Sequence, residues 1–143
     1  PLEVTDPLPL RETLIFATLN VCGLRNKSDA IARYLKTVKV LCLQETNVVL
    51  ADGYPLYFKQ HQIFSVSARR NMTGSRGLSV IVHTSIPASV IRHTESDHLL
   101  PVKLTLPDGV WIVVCVYLPT NNNTELRKTV FVALEKLLKK VIR

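Results

Sequence analysis

Residues 14–47, LIFATLNVCGLRNKSDAIARYLKTVKVLCLQETN, decide the fold. Two runs rich in apolar residues, LIFATLN (14–20) and VLCLQET (40–46), read as strands, and each delivers an oxygen-bearing side chain near its end, Asn20 and Glu45. Between them lie a turn at Cys22-Gly23 and a short amphipathic helix. Asn26 to Ser28 can cap that helix, which runs through about Lys36 with Ala30, Ile31, Tyr34 and Leu35 on its apolar side. Two strands joined by one helix place Asn20 and Glu45 side by side where the strands end. A hard cation such as Mg²⁺ or Mn²⁺ takes few carboxylates, some neutral oxygen and its own water, which an amide and an acid begin to supply. Because LIFATLN is nearly all apolar, burial on both faces is expected for it.

Working outward, strands are expected at roughly 57–67, 77–84, 86–92, 100–106 and 110–117. Pro107-Asp108-Gly109 joins the last two as a hairpin turn. Thr124 is expected to cap a helix reaching the C-terminus, with Leu126, Val130, Ala133, Leu134, Leu137, Leu138 and Val141 on one face. Residues 46–56 read as a loop and the Pro-rich residues 1–12 as a tail or linker. Trp111 and the remaining aromatics are assigned to the core. The fold class that follows is a layered α/β sandwich, a mixed β-sheet flanked by helices.

At 143 residues and 47% hydrophobic, the chain supports one core and is too short for two. No apolar run reaches the ~18–20 residues of a membrane span, and no signal peptide is visible. Cys22, Cys42 and Cys115 form no C-x-x-C pair, and two of them sit within apolar strands, which points to a reducing compartment, nucleus or cytoplasm. The net charge of +7, with basic clusters at 69–76 and 136–143, suits a polyanionic partner such as nucleic acid; ordinary solvated lysines would give the same total.

The pattern strand-N-x-x-G-L-R followed by strand-LQET resembles the endonuclease/exonuclease/phosphatase, or DNase I-like, superfamily. SRGLSVIV (75–82) is similar to that family's Gly-bearing strand, and WIVVCVYLPT (111–120) to its strand ending in Tyr-x-Pro-Asn. The resemblance covers about residues 13–142 and looks closest to apurinic and retrotransposon-type endonucleases. It implies Mg²⁺-dependent phosphodiester hydrolysis on DNA, with Glu45 and Asn20 at the metal, and Tyr117 donating its hydroxyl to the scissile phosphate. Arg25, Arg69, Arg70, Arg76 and Asn121 are the expected nucleic-acid contacts, Asn121 standing in for the Asn that Thr120 replaces. Cys22 and Lys39 also depart from the family's usual polar or acidic residues.

The same resemblance implies a second half, with a Gly-Asp-x-Asn strand and a terminal Ser-Asp-His. One Glu and one Asn cannot both position a nucleophile and protonate a leaving oxygen, so residues 13–143 are expected to be the N-terminal portion of such a domain. Ser96-Asp97-His98 looks locally like the terminal motif but precedes the Tyr117 strand, and is read as a polar turn. Simpler roles stay open for each site residue: Glu45 paired with Arg25 or Lys27, Asn20 stabilising the Gly23 turn, Tyr117 in the core. Phosphatase action on inositol phosphates and a non-catalytic half-domain binding nucleic acid or a partner are the alternatives. The half-domain reading further expects the strands ending at Asn20, Glu45 and Tyr117 to share a sheet with an exposed apolar face, driving self-association or pairing with the missing half.

Overall fold

The computed structural model describes residues 14–69, 75–119 and 122–142. Its elements are β1 (Phe16–Asn20), α1 (Ser28–Tyr34), β2 (Val40–Gln44), a 3₁₀ turn (Leu50–Asp52), β3 (His61–Val66), β4 (Leu78–His83), β5 (Ala88–Val90), β6 (Leu99–Leu106), β7 (Gly109–Val116) and α2 (Thr124–Val141). They form two sheets, ordered β1-β2-β4-β3 and β5-β6-β7. The β1–β2 pair is parallel, with α1 as the expected crossover, and the remaining pairs are antiparallel.

Strand alternation explains the layering. Val40 and Cys42 of β2, with Leu78, Val80 and Val82 of β4, point to one side and pack against Leu100, Val102, Leu104 and Cys115 of the second sheet. Leu41, Leu43 and Ile81 point to the other side, onto Ile31 and Leu35 from the α1 segment and the loop residues Val48 and Phe58. The second sheet turns Leu99 outward onto Val130, Ala133 and Leu137 of α2. The order of layers is therefore α1, first sheet, second sheet, α2.

Both sheets of the sandwich belong to this chain, which corrects the expectation of a bare apolar face. Tyr117 follows a strand of the second sheet, and that sheet covers β2, the strand leading to Glu45. β1 is also not buried on both faces. It is an edge strand, with Phe16 38% exposed. Phe16 stacks on Trp111 of β7, the edge of the second sheet, with ring centroids 6.1 Å apart. Trp111 is accordingly not a core residue but 46% exposed. Among the described residues β1 and β7 are outer strands, and their outer edges lie on the same side of the sandwich.

The helices begin differently from expectation. Lys27, not a polar oxygen, stands at the N-cap of α1 and makes no side-chain cap. Its ammonium instead hydrogen-bonds the carbonyls of Val21 and Gly23, closing the turn after β1. At α2 the cap is Asn123, whose Oδ1 accepts from the Leu126 N–H at 3.2 Å, one residue earlier than Thr124. Tyr34, expected on the apolar side of α1, is exposed.

Candidate functional site

β1, β2 and β7 run in the same direction. Phe16 and Trp111 meet near their starts, while Cys115 Sγ lies 3.5 Å from the Leu43 carbonyl and 3.6 Å from Gln44 Nε2 near their ends. The C-terminal ends of all three strands therefore gather at one end of the sandwich, together with the starts of the antiparallel partners β4 and β6. Asn20, Glu45 and Tyr117 are brought to this end from two different sheets.

The register Asn20↔Gln44 places the end of β1 against that of β2. Asn20 Nδ2 donates to Glu45 Oε2 at 2.5 Å. Asn20 Oδ1 accepts from the Cys22 backbone N–H at 3.1 Å and lies 3.2 Å from its thiol. The amide thus grips the carboxylate with its nitrogen and the turn with its oxygen. In this arrangement the Asn20 amide orients the Glu45 carboxylate while its oxygen faces the Cys22 turn. Neither Arg25 nor Lys27 is placed on Glu45 by a hydrogen bond, Lys27 being occupied by the turn carbonyls.

The backbone here is held in an uncommon conformation. Cys22, Glu45 and Asn47 are non-glycine residues with φ of 47°, 55° and 58°. Residues in this left-handed region cost free energy and persist where surrounding bonds over-determine them. Those bonds are present: Gly23 N–H to Glu45 O at 2.7 Å, Leu24 N–H to Thr46 O at 3.2 Å, Thr46 N–H to Gly77 O at 3.1 Å and Asn47 N–H to Arg76 O at 2.7 Å. Gly77 has φ of 92°, and a Cβ there would sit well inside contact distance of Thr46 Oγ1. The Gly of SRGLSVIV is needed so that the segment entering β4 can close on the residues flanking Glu45.

On the opposing sheet, Tyr117 stacks on His98, with centroids 5.8 Å apart and planes at 18°. Asp97 Oδ2 accepts from Arg69 Nε at 2.7 Å and from the Ser75 backbone N–H at 3.4 Å. Ser96-Asp97-His98 is therefore more than a solvated turn: it touches Tyr117, Arg69 and the segment leading to Gly77. The signal that could have found it lies in the hairpin. The pairing Leu106↔Gly109 continues in register to Leu99↔Val116, so position 98 falls opposite 117.

Of the expected nucleic-acid contacts, Arg25 is exposed on the turn after Gly23, beside a cleft of about 690 Å³ bordered by Cys22, Asn47 and Asp52. Arg69 is exposed but ion-paired to Asp97, and Arg76 adjoins Asn47. Arg70 and Asn121 lie outside the described residues. Beneath the site, hydrogen bonding with Cys42 and burial push the Cys115 thiol above its ordinary range, and both Cys42 and Cys115 are buried.

The residues fit a hard divalent cation in one respect, a partly exposed carboxylate pre-oriented by an amide. Among the described residues no group of three or more His, Cys, Asp or Glu could hold a metal ion, so most of a cation's shell would be water. No helix among them is long and apolar enough to cross a membrane.

No protein-family model matches the chain, and no curated protein matches it. Solved structures do. The AP endonuclease LMAP from Leishmania major is similar with a TM-score of 0.65 and 20% identity, over 88% of this chain and 48% of that one. A humanised D. rerio TDP2 gives 0.63 and 18%, over 90% and 57%. The endonuclease domain of TRAS1, a telomere-specific non-LTR retrotransposon, gives 0.63 and 12%, over 87% and 53%. The fold is the DNase I-like one shared by these proteins, and the chain spans about half the length of each.

Proposed function

We propose that this DNase I-like chain is the N-terminal portion, residues 13–143, of a Mg²⁺-dependent phosphodiesterase of endonuclease type acting on DNA. The observation that carries the reading is the Asn20–Glu45 pair, 2.5 Å apart on adjacent parallel strand ends, with Tyr117 at the same end of the opposing sheet. Glu45 would hold Mg²⁺ or Mn²⁺, and Asn20 would fix its carboxylate. When bound, the ion supplies positive charge to the phosphoryl oxygens. Tyr117 would donate its hydroxyl to charge developing on the phosphate, while Arg25 and Arg76 hold the flanking backbone. Arg70 and Asn121 join them by position in the sequence, and Arg69 does so tethered by Asp97.

These residues place charge but bring together no acid–base pair able both to activate water and to protonate a leaving group. The chain alone should therefore show no appreciable plasmid nicking with Mg²⁺. Its partner would be a complementary half that continues the sheets from the open edges β1 and β7, or a second copy of the chain. NMR titration with Mn²⁺ tests the metal assignment: relaxation broadening should centre on Glu45 and disappear in Glu45→Gln. Equal broadening in the variant rejects Glu45 as the ligand.

The second reading, a half-domain that binds nucleic acid without cutting it, is favoured by the charge of +7 and by the lack, among the described residues, of any group of three or more His, Cys, Asp or Glu that could hold a metal ion. It predicts duplex binding that is indifferent to Glu45→Gln.

A further inference from the structure

The apolar layer between the sheets is built from cross-strand pairs, Val102 with Val113 and then Leu100 with Cys115. At the site the next inward pair is a pair of rings. Tyr117 N–H donates to the His98 carbonyl at 3.1 Å, extending the ladder by one step, and the imidazole and phenol stack. His98 is only 5% exposed, and its Nδ1 is buried without a hydrogen-bond partner. Packing alone would be served better by an apolar side chain, because a buried polar atom with no partner is unfavourable. Its Nε2 lies 3.7 Å from Asp97 Oδ1, while the other Asp97 oxygen holds Arg69 and the Ser75 N–H. Ser96 Oγ accepts from the His98 backbone N–H at 3.0 Å and fixes the turn.

Resting on the phosphodiesterase reading of this end, we propose that Asp97 and His98 are its positioning pair. His98 holds the Tyr117 ring by stacking, so that the hydroxyl stays at the mouth of the intersheet layer. Asp97 holds the guanidinium of Arg69 and the backbone at Ser75, so that Arg69 is presented beside Tyr117 rather than sweeping through solvent. Neither residue touches the phosphate; both act through Tyr117 and Arg69. Offset ring stacking supplies the geometric restraint, and the charge-assisted bond from Arg69 supplies the second.

The electrostatics give this proposal a test by sign. Removing an acid from a basic protein tightens non-specific DNA binding when charge alone matters. A positioning Asp97 predicts the reverse. The 143-residue chain would be labelled with 3-fluorotyrosine, the Tyr117 resonance assigned with Tyr117→Phe, and affinity measured for a fluorescent 16-base-pair duplex. Asp97→Asn should weaken duplex binding on the order of fivefold, the share of one phosphate-contacting arginine, despite the added positive charge. His98→Leu should shift and broaden the Tyr117 ¹⁹F signal, and His98→Phe, which keeps a ring, should restore it. Tighter or unchanged binding in Asp97→Asn overturns the proposal. So does an unmoved Tyr117 signal in His98→Leu or, should that variant fail to fold, a displaced one in His98→Phe. Wild-type protein that ignores the duplex while His98→Leu still releases Tyr117 sinks the nucleic-acid reading alone and supports the positioning of Tyr117.

Discussion

The central strands β2 and β4 and the edge strands β1 and β7 draw on the same apolar residues, yet they live in different environments. Val40, Leu43, Val80 and Ile81 are completely buried, whereas Phe16 and Trp111 are more than a third exposed. Composition does not separate them; neighbours do. β2 and β4 have a strand on each side and a layer above and below, while β1 and β7 each have a strand on one side only among the described residues. An apolar strand is thus not evidence of a buried one until its pairing is known. The side chains of the proposed site sit where the two environments meet, with Asn20 at the end of an edge strand and Glu45 just past the end of a central one.

The sharpest way to break that comparison is to hollow out both environments. Ile81→Ala in the centre should destabilise by about 2–5 kcal/mol, since the cavity is walled on every side. Trp111→Ala at the edge should cost about 1 kcal/mol or less, because water already reaches half of the ring. Denaturant midpoints measured at equal m-value decide it; equal losses would mean that β7 is covered in solution by something else.

Next in size is Gly77→Ala, which tests the seam between β4 and the Glu45 turn. The left-handed backbone should cost about 1–3 kcal/mol before the collision with Thr46 is counted. Amide exchange should quicken at Thr46 and Asn47 while the β6–β7 ladder stays protected. Unchanged exchange at Thr46 would show that the close approach is dispensable.

A smaller effect on stability, but a visible one on association, is expected from Trp111→Lys. A lysine on an open edge disfavours pairing with another chain. Sedimentation at micromolar concentration should show wild-type self-association reduced by the substitution. A wild type that is already monomeric would show that the Phe16–Trp111 strip is not adhesive, and would weaken the partner proposed for this side.

The smallest effect concerns the end of the first sheet away from the site. His83 is held below the ordinary imidazole value by burial, and then by Lys39 and His61. Its ring meets that of His61 edge to face, with centroids 5.2 Å apart. A lowered folded value means that the unfolded chain takes up the proton more readily. Stability should therefore be whole above the unfolded value of about 6.5 and decline as pH falls through it. The melting temperature should drop modestly between pH 7.5 and 5.5, and the His83→Asn profile should be flatter; parallel profiles would assign the drop to other groups.

Much of this was written in short-range signals. The strand–turn–helix–strand unit of residues 14–47 puts Asn20 and Glu45 together because a parallel crossover permits little else, and Pro107-Asp108-Gly109 fixes the β6–β7 register that carries Tyr117. Even the His98–Tyr117 pair follows from that register once strand alternation is applied.

Other features depended on contacts between segments distant in the chain. The division of the strands into two sheets, the exposure of β1 and the meeting of Phe16 with Trp111 arise from which strand lies beside which, and that is settled by burying the most apolar area at once. The turning of the Asn20 amide toward Glu45, and the ion pair that binds Arg69 to Asp97, join residues 25 and 28 positions apart. Sequence determined which chemical groups reach the end of the sandwich. Tertiary structure decided which of them hold one another there, because hydrogen-bond partners are selected by distances of a few ångströms that only the packed layers set.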